Sequence, residues 1–268
     1  MVMRFAVPTV VMLFAFPVWG HEFWVQPRGL PVAPGGELVA DIRRGEAFRG
    51  DPLAFNPANF DDFRVYGPDG ARAVEGRPGD KPALAMRVDA PGLHVPVYVS
   101  DLKRTTYTKL EKFESFAASQ GFDGAVERHR ARDIAPVFSE AYRRYAKALV
   151  PVGEARVPDR TIGLPIEIVL EDRPFEGGPV RARVFLFGRP AVGIQLTLFA
   201  RPLGDETAAA LVRKARTDAW GRVALELPPG HRVLLSAVHL REPDAALAKA
   251  RDVVWETLWA STVFETGL

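Results

Sequence analysis

The sequence has 268 residues, 47% of them hydrophobic and 25% charged, with 35 Lys+Arg against 33 Asp+Glu for a formal net charge of +2. That length suits one large domain or two small ones, and a near-balanced charge without a basic run argues against nucleic acid as a partner. There is no cysteine, which excludes disulfides, thiolate metal sites and cysteine nucleophiles.

Met1 to Arg4 supply one positive charge, and Phe5 to Phe16 are apolar apart from Pro8 and Thr9. Val18 and Gly20 then stand where a signal peptidase requires small residues. This predicts a signal peptide over 1–20, cleavage after Gly20 and a periplasmic protein. The run is too short to span a bilayer comfortably and no second one follows, so no transmembrane segment is expected in the mature chain. The mature chain would open His21-Glu22-Phe23-Trp24. A free α-amine beside the Nδ1 of its own histidine makes a compact bidentate chelate for a metal.

The next segment, 21–103, reads as a β-sandwich. Leu38, Ala40 and Ile42 alternate with charged residues, Gly67-Pro68-Asp69-Gly70 is a turn, and Leu93, Val95, Val97 and Val99 alternate with His94, Pro96 and Tyr98. That alternation puts His94 on the exposed face. Over 104–151 the period changes to a helical one. Tyr107, Leu110, Phe113 and Ala117 share a face that ends at Gly121, Phe122 to Asp133 suggests a second helix, and Ser139 is a candidate N-cap for a third over 140–149. On that third helix Tyr142, Tyr145, Ala146 and Leu149 form one face. Arg143, Arg144 and Lys147 would either meet an anionic partner or, more simply, form a solvated face.

Strand signals return over 152–268, at Ile166 to Leu170, Val180 to Phe187, Ile194 to Ala200, His231 to Leu240 and Trp259 to Phe264, with a tight turn at Thr217–Arg222. The expected fold is mainly β, with two Ig-like or transthyretin-like β-sandwich domains joined by a helical insertion. There is no H-E-x-x-H pair, no G-x-S-x-G, no phosphate loop and no dinucleotide fingerprint, so the expectation is a protein that is not an enzyme.

His21-Glu22-Phe23-Trp24 with Pro27, Arg44-Gly45-Glu46-Ala47-Phe48, Ala90-Pro91-Gly92-Leu93-His94, Tyr142 with Tyr145–Leu149, Ser236–Leu240 and Trp255–Ser261 recur together in one family. On these stretches the chain resembles bacterial periplasmic nickel/cobalt uptake components (NikM-like), formally a domain of unknown function. The Thr217–Arg222 turn also resembles that of transthyretin-like and carboxypeptidase-regulatory sandwiches. The resemblance implies a transition metal ion as cofactor, nickel or cobalt, and a membrane transporter as partner; nitrogen ligands without thiolate would suit copper as well, which affinity order alone favours. It matches His21 and His239 to ligand positions and His94 to a third, with Glu22 and Trp24 in support. Two other functions fit the same residues: a metal-free binding module for a glycan or envelope protein, and a copper oxidase built on the His21 brace.

Overall fold

The computed structural model describes residues 21–154, 158–171, 175, 179–227 and 229–267; the predicted signal peptide lies outside them. In chain order the first half contains β1 (Glu22–Arg28), β2 (Gly36–Glu46), β3 (Arg49–Leu53), a one-turn 3-10 helix at Pro57–Asn59, β4 (Phe60–Gly67), β5 (Gly70–Ala73), β6 (Leu84–Val88), β7 (Gly92–Ser100) and β8 (Lys103–Tyr107). Helices α1 (Leu110–Gln120) and α2 (Ala125–Ala131) follow. The second half contains β9 (Phe138–Ala148), β10 (Val150–Val152), β11 (Ile166–Leu170), β12 (Val180–Leu186), β13 (Arg189–Pro190), β14 (Gln195–Pro202), β15 (Leu211–Arg216), β16 (Arg222–Leu225), β17 (His231–Arg241), α3 (Ala245–Arg251) and β18 (Trp255–Glu265).

The protein is mainly β, as expected, and its sheets stack as sandwiches. Ten strands form one sheet in the order β15-β14-β17-β18-β9-β7-β4-β5, with β10 beside β7 and β8 beside β9. Strands from both predicted β units therefore share a central layer. A four-stranded sheet of β1, β2, β3 and β6 covers one face, and another of β11, β12, β13 and β16 covers the other.

The two-residue period of a strand explains the division of the core. Along β17, Val233, Leu235 and Ala237 enter the core beneath β11 and β12. Leu234 enters the core beneath β1 and β2, and Val238 and Leu240 enter a third one with α1. A strand covered on both sides loses its polar alternation, and β18 is buried along its whole length. Its two acids are paired, Glu256 with Arg241 at 2.7 Å and Glu265 with Arg232 at 2.8 Å.

One expected helix is a strand. The segment assigned to a helix over 140–149 forms β9, which pairs in parallel with β18 and antiparallel with β7 and β8. Its apparent helical face is split: Tyr145 enters the core beneath β11, and Ala146 the core beneath β1. Sheet hydrogen bonding on both edges and burial on both faces override a local helix propensity. Helix α1 follows its pattern only from Leu110, burying Phe113, Phe116 and Ala117 and ending at Gly121 with φ +69, whereas Tyr107, expected on the same helical face, ends strand β8 paired with Phe138. The Thr217–Arg222 turn is pinned by Asp218, which accepts the Trp220 and Arg222 N–H groups at 2.8 Å. It changes layers rather than closing a hairpin, since β15 pairs with β14 and β16 pairs with β12.

Candidate functional site

Strand β9 places Tyr142, Arg144 and Ala146 on the face that looks toward β1 and the helices. Arg144 stands in register with Trp259 of β18. Its guanidinium lies 4.9 Å from the Trp259 ring centre, 5.4 Å from that of Tyr142 and 5.7 Å from that of Phe23. It donates one hydrogen bond, from Nη1 to the His21 carbonyl at 2.6 Å. Of the three cations predicted to share a helix face, Arg143 meets Asp61 at 2.7 Å and Lys147 meets buried carboxylates, whereas Arg144 ion-pairs with no carboxylate among the described residues.

Two adjoining chambers of about 370 and 270 Å³ share Arg44, Tyr142 and Arg144 in their walls. The larger adds Phe23, Ile42, Asn56, Asn59, Tyr98 and Lys103, and the smaller adds His21, Tyr107, Lys112, Phe116, Glu140 and Trp259. Arg44 is presented by the tight β2–β3 hairpin. Its turn residues Ala47 and Phe48 have φ +49 and +61, a conformation costly without glycine. Tertiary contacts hold it: Phe48 packs edge-on to Trp24 at 5.3 Å, and Arg201 donates to the Ala47 carbonyl at 3.2 Å. Within the hairpin Gly45 faces Gly50, where an added Cβ on Gly45 would meet the Arg49 carbonyl at 1.7 Å.

Four cations thus face this cleft, and its acids are largely muted. Burial pushes the Glu140 carboxyl up to about 7, opposed by hydrogen bonds from the Tyr107 hydroxyl at 3.0 Å and the Thr257 hydroxyl at 3.1 Å. Burial also pushes Glu22 up to about 7, and its Oε2 has no hydrogen-bond partner. Lys103 is paired with Asp101 at 2.8 Å. Desolvation lowers Arg144 to about 10, so it stays charged near neutrality. The result is a positive, aromatic-walled recess with a guanidinium short of acceptors, suited to an anion carried on a flat or apolar body.

The sequence-predicted ligands do not meet here. His21 is exposed at the rim of the smaller chamber. His239 is half-buried and pairs with Leu258, whose side chain enters the core beneath β11. It therefore faces the opposite side of the central sheet. His94, expected to be exposed, is 4% exposed. It lies four residues from Tyr98, about 13 Å along β7, and fits because position 67 is glycine, where an added Cβ would stand 2.8 Å from its ring. Burial lowers the pKa of both His94 and His239. Of the supporting pair, Glu22 sits near Arg144. Trp24 is a core residue with no exposure, its indole N–H donating to Gln26 Oε1 at 2.9 Å. His129 is buried and accepts the Trp255 indole N–H at 3.1 Å.

Among the described residues no three His, Cys, Asp or Glu side chains cluster as a metal site. The walls around His21 carry Arg44, Lys112 and Arg144. A divalent cation would meet like charge there, so these side chains do not fit a three-histidine centre. Arg44 and Lys103 were not anticipated as site residues, and Arg144 was read only as one of three helix-face cations that could meet an anionic partner. The signal for Arg144 was the alternation of Tyr142, Arg144 and Ala146 read with period two instead of a helical period.

Fold and site together define a stacked β-sandwich protein with a basic, aromatic-walled cleft. The chain belongs to the family described as Domain of unknown function (DUF4198), which matches residues 18–241. No curated protein matches the chain. Among solved structures, Escherichia coli alpha-2-macroglobulin activated by porcine elastase is similar at 15% identity with a TM-score of 0.24. That match covers 92% of this chain and 20% of that one, so this chain spans a fifth of its length. Among the described residues no helix is long and apolar enough to cross a membrane.

Proposed function

We propose that this chain is an extracytoplasmic binding protein whose cleft takes a small carboxylate with an apolar or aromatic body. The observation that carries this reading is Arg144, a charged guanidinium among three aromatic rings with no carboxylate partner. A bound carboxylate would accept its free N–H groups while the body of the ligand lies along Phe23, Tyr98 and Trp259. Arg44, Lys103 and Lys112 add long-range attraction. The test is calorimetric titration of the chain beginning at His21 with benzoate and with inorganic phosphate at neutral pH. Saturable benzoate binding that weakens roughly ten- to a hundred-fold in Arg144→Gln is expected; no binding of benzoate by the unaltered protein overturns the reading.

A second reading is nickel or cobalt handling with a membrane transporter as partner, supported by the NikM-like stretches and by the exposure of His21. With His94 and His239 placed elsewhere, it rests on the α-amine and imidazole of His21 alone. Competitive Ni²⁺ titration of the chain starting at His21, against the same chain with one extra N-terminal Ala, isolates that chelate. The extra residue removes the amine from His21 and leaves every side chain in place. Tight binding that collapses supports the reading, and equal or absent binding in both rejects it.

A further inference from the structure

Three residues beyond Arg144 on the same strand, and on the opposite face of the central sheet, Lys147 is fully enclosed. Its side chain is 1% exposed, and it meets two carboxyl groups, Asp159 at 0% and Glu167 at 2%. Lys147 Nζ lies 3.1 Å from Asp159 Oδ1 and 3.0 Å from Oδ2, hence almost equidistant from the two, and 3.2 Å from Glu167 Oε1. Two acids facing one amine leave an uncompensated negative charge if all three ionise, which a dry core disfavours. Burial accordingly pushes the Asp159 carboxyl up, against the pull of Lys147.

The surroundings give the two acids different roles. Glu167 accepts three backbone N–H groups, from Ile162 at 2.8 Å, Gly163 at 3.0 Å and Leu164 at 3.3 Å, which fixes its side chain and marks it as an acceptor. Asp159 has one backbone N–H on each oxygen, Arg160 on Oδ1 at 2.8 Å and Leu170 on Oδ2 at 3.0 Å. Donors so placed would stabilise negative charge growing on a carboxyl oxygen under attack at Cγ.

We propose that Lys147 and Asp159 condense into an intramolecular isopeptide bond, with Glu167 as the proton carrier. A proton first passes from the Lys147 ammonium to the Asp159 carboxylate, leaving a neutral amine against a carboxylic acid. Nζ then attacks Cγ, giving up a proton to Glu167 Oε1, and the tetrahedral oxyanion is held by a backbone N–H. The Cγ–O bond to the hydroxyl breaks as that hydroxyl takes the proton back from Glu167 and leaves as water. The products are one amide and one water, Glu167 is restored, and no oxidation or reduction occurs. Both reacting groups are held in contact with water excluded, which makes an otherwise slow condensation effectively unimolecular. The bond would tie central strand β9 to the segment entering β11 of the covering sheet, in a chain without cysteine to form any other cross-link.

Intact-mass measurement of the purified protein, followed by tryptic mapping, tests this directly. The expected result is a chain lighter by one water, with a branched peptide joining 145–156 to 157–160 and no cleavage after Lys147. Glu167→Gln should restore the full mass and the cleavage at Lys147, as should Asp159→Ala. An unaltered protein with the full mass, or a missing water confined to one linear peptide, overturns the bond. A branched peptide that persists in Glu167→Gln overturns the role of Glu167.

Discussion

Arg144 and Lys147 belong to one strand, yet their surroundings are opposite. Arg144 looks into an open cleft, with aromatic rings around it and no acid at ion-pair distance. Lys147 looks into a closed core, with two carboxyls in contact. The residues are three apart, so the two-residue period of the strand sends them to different faces. A cation left without a partner at an opening can meet an external anion. The same kind of charge sealed beside two acids has only internal partners, and its consequences are stability and bond formation within the chain.

Several changes would break or sharpen that contrast. The largest effect is expected from Lys147→Met, which leaves two buried carboxyls without a cation and should cost about 3–5 kcal/mol, read by urea denaturation. A loss below about 1 kcal/mol would show that the closed site carries little of the fold. On the open face, Arg144→Gln should remove about 1.5–3 kcal/mol of carboxylate binding, or roughly ten- to a hundred-fold in affinity, because a charge-assisted contact is lost. Its unfolding midpoint should move far less than that of Lys147→Met.

The pH dependence probes the acids behind the cleft. Glu140 and Glu22 are both raised from 4.5 to about 7, so the folded protein holds protons that the unfolded chain releases. Their contribution to stability is therefore present in full below pH 4.5 and is lost as pH rises through about 7. Glu140→Gln, which resembles the protonated acid, should flatten part of that fall, by on the order of 1–3 kcal/mol between the two ends of the range. Carboxylate affinity should weaken over the same range in the unaltered protein, since ionised Glu140 opposes an anion. Affinity that rises with pH would contradict the assignment of Glu140 to the cleft wall. The smallest effect belongs to His239→Ala. It faces the far side of the sheet, so benzoate titration should be unchanged and stability should shift by about 1 kcal/mol or less.

Much of the fold was legible where periodicity was strong and one-sided. Leu38, Ala40 and Ile42 read as a strand and lie in β2, while Phe113 and Ala117 read as a helix face and lie buried on α1. Legibility failed where both faces of an element are covered. Phe138–Ala148 has cations and aromatics on both parities because each face meets a different neighbour, so no single stripe remains for a pattern to detect. The candidate site suffered from the same error. Once Arg143, Arg144 and Lys147 were placed on one helix face they looked alike, whereas the strand gives each a different environment.

By itself the sequence determined the β class, most strand positions and the exclusion of cysteine chemistry, because those follow from composition and local period. It also singled out the His21-Glu22-Phe23-Trp24 segment, whose structural part is to border the cleft and anchor the core through Phe23 and Trp24. Tertiary structure alone decided that the two halves share one sheet, that His94 and His239 lie away from His21, and that Arg144 and Lys147 part company. The reason is physical. Strand pairing and the identity of what covers each face are set by contacts between residues far apart in the chain, and no local pattern encodes them.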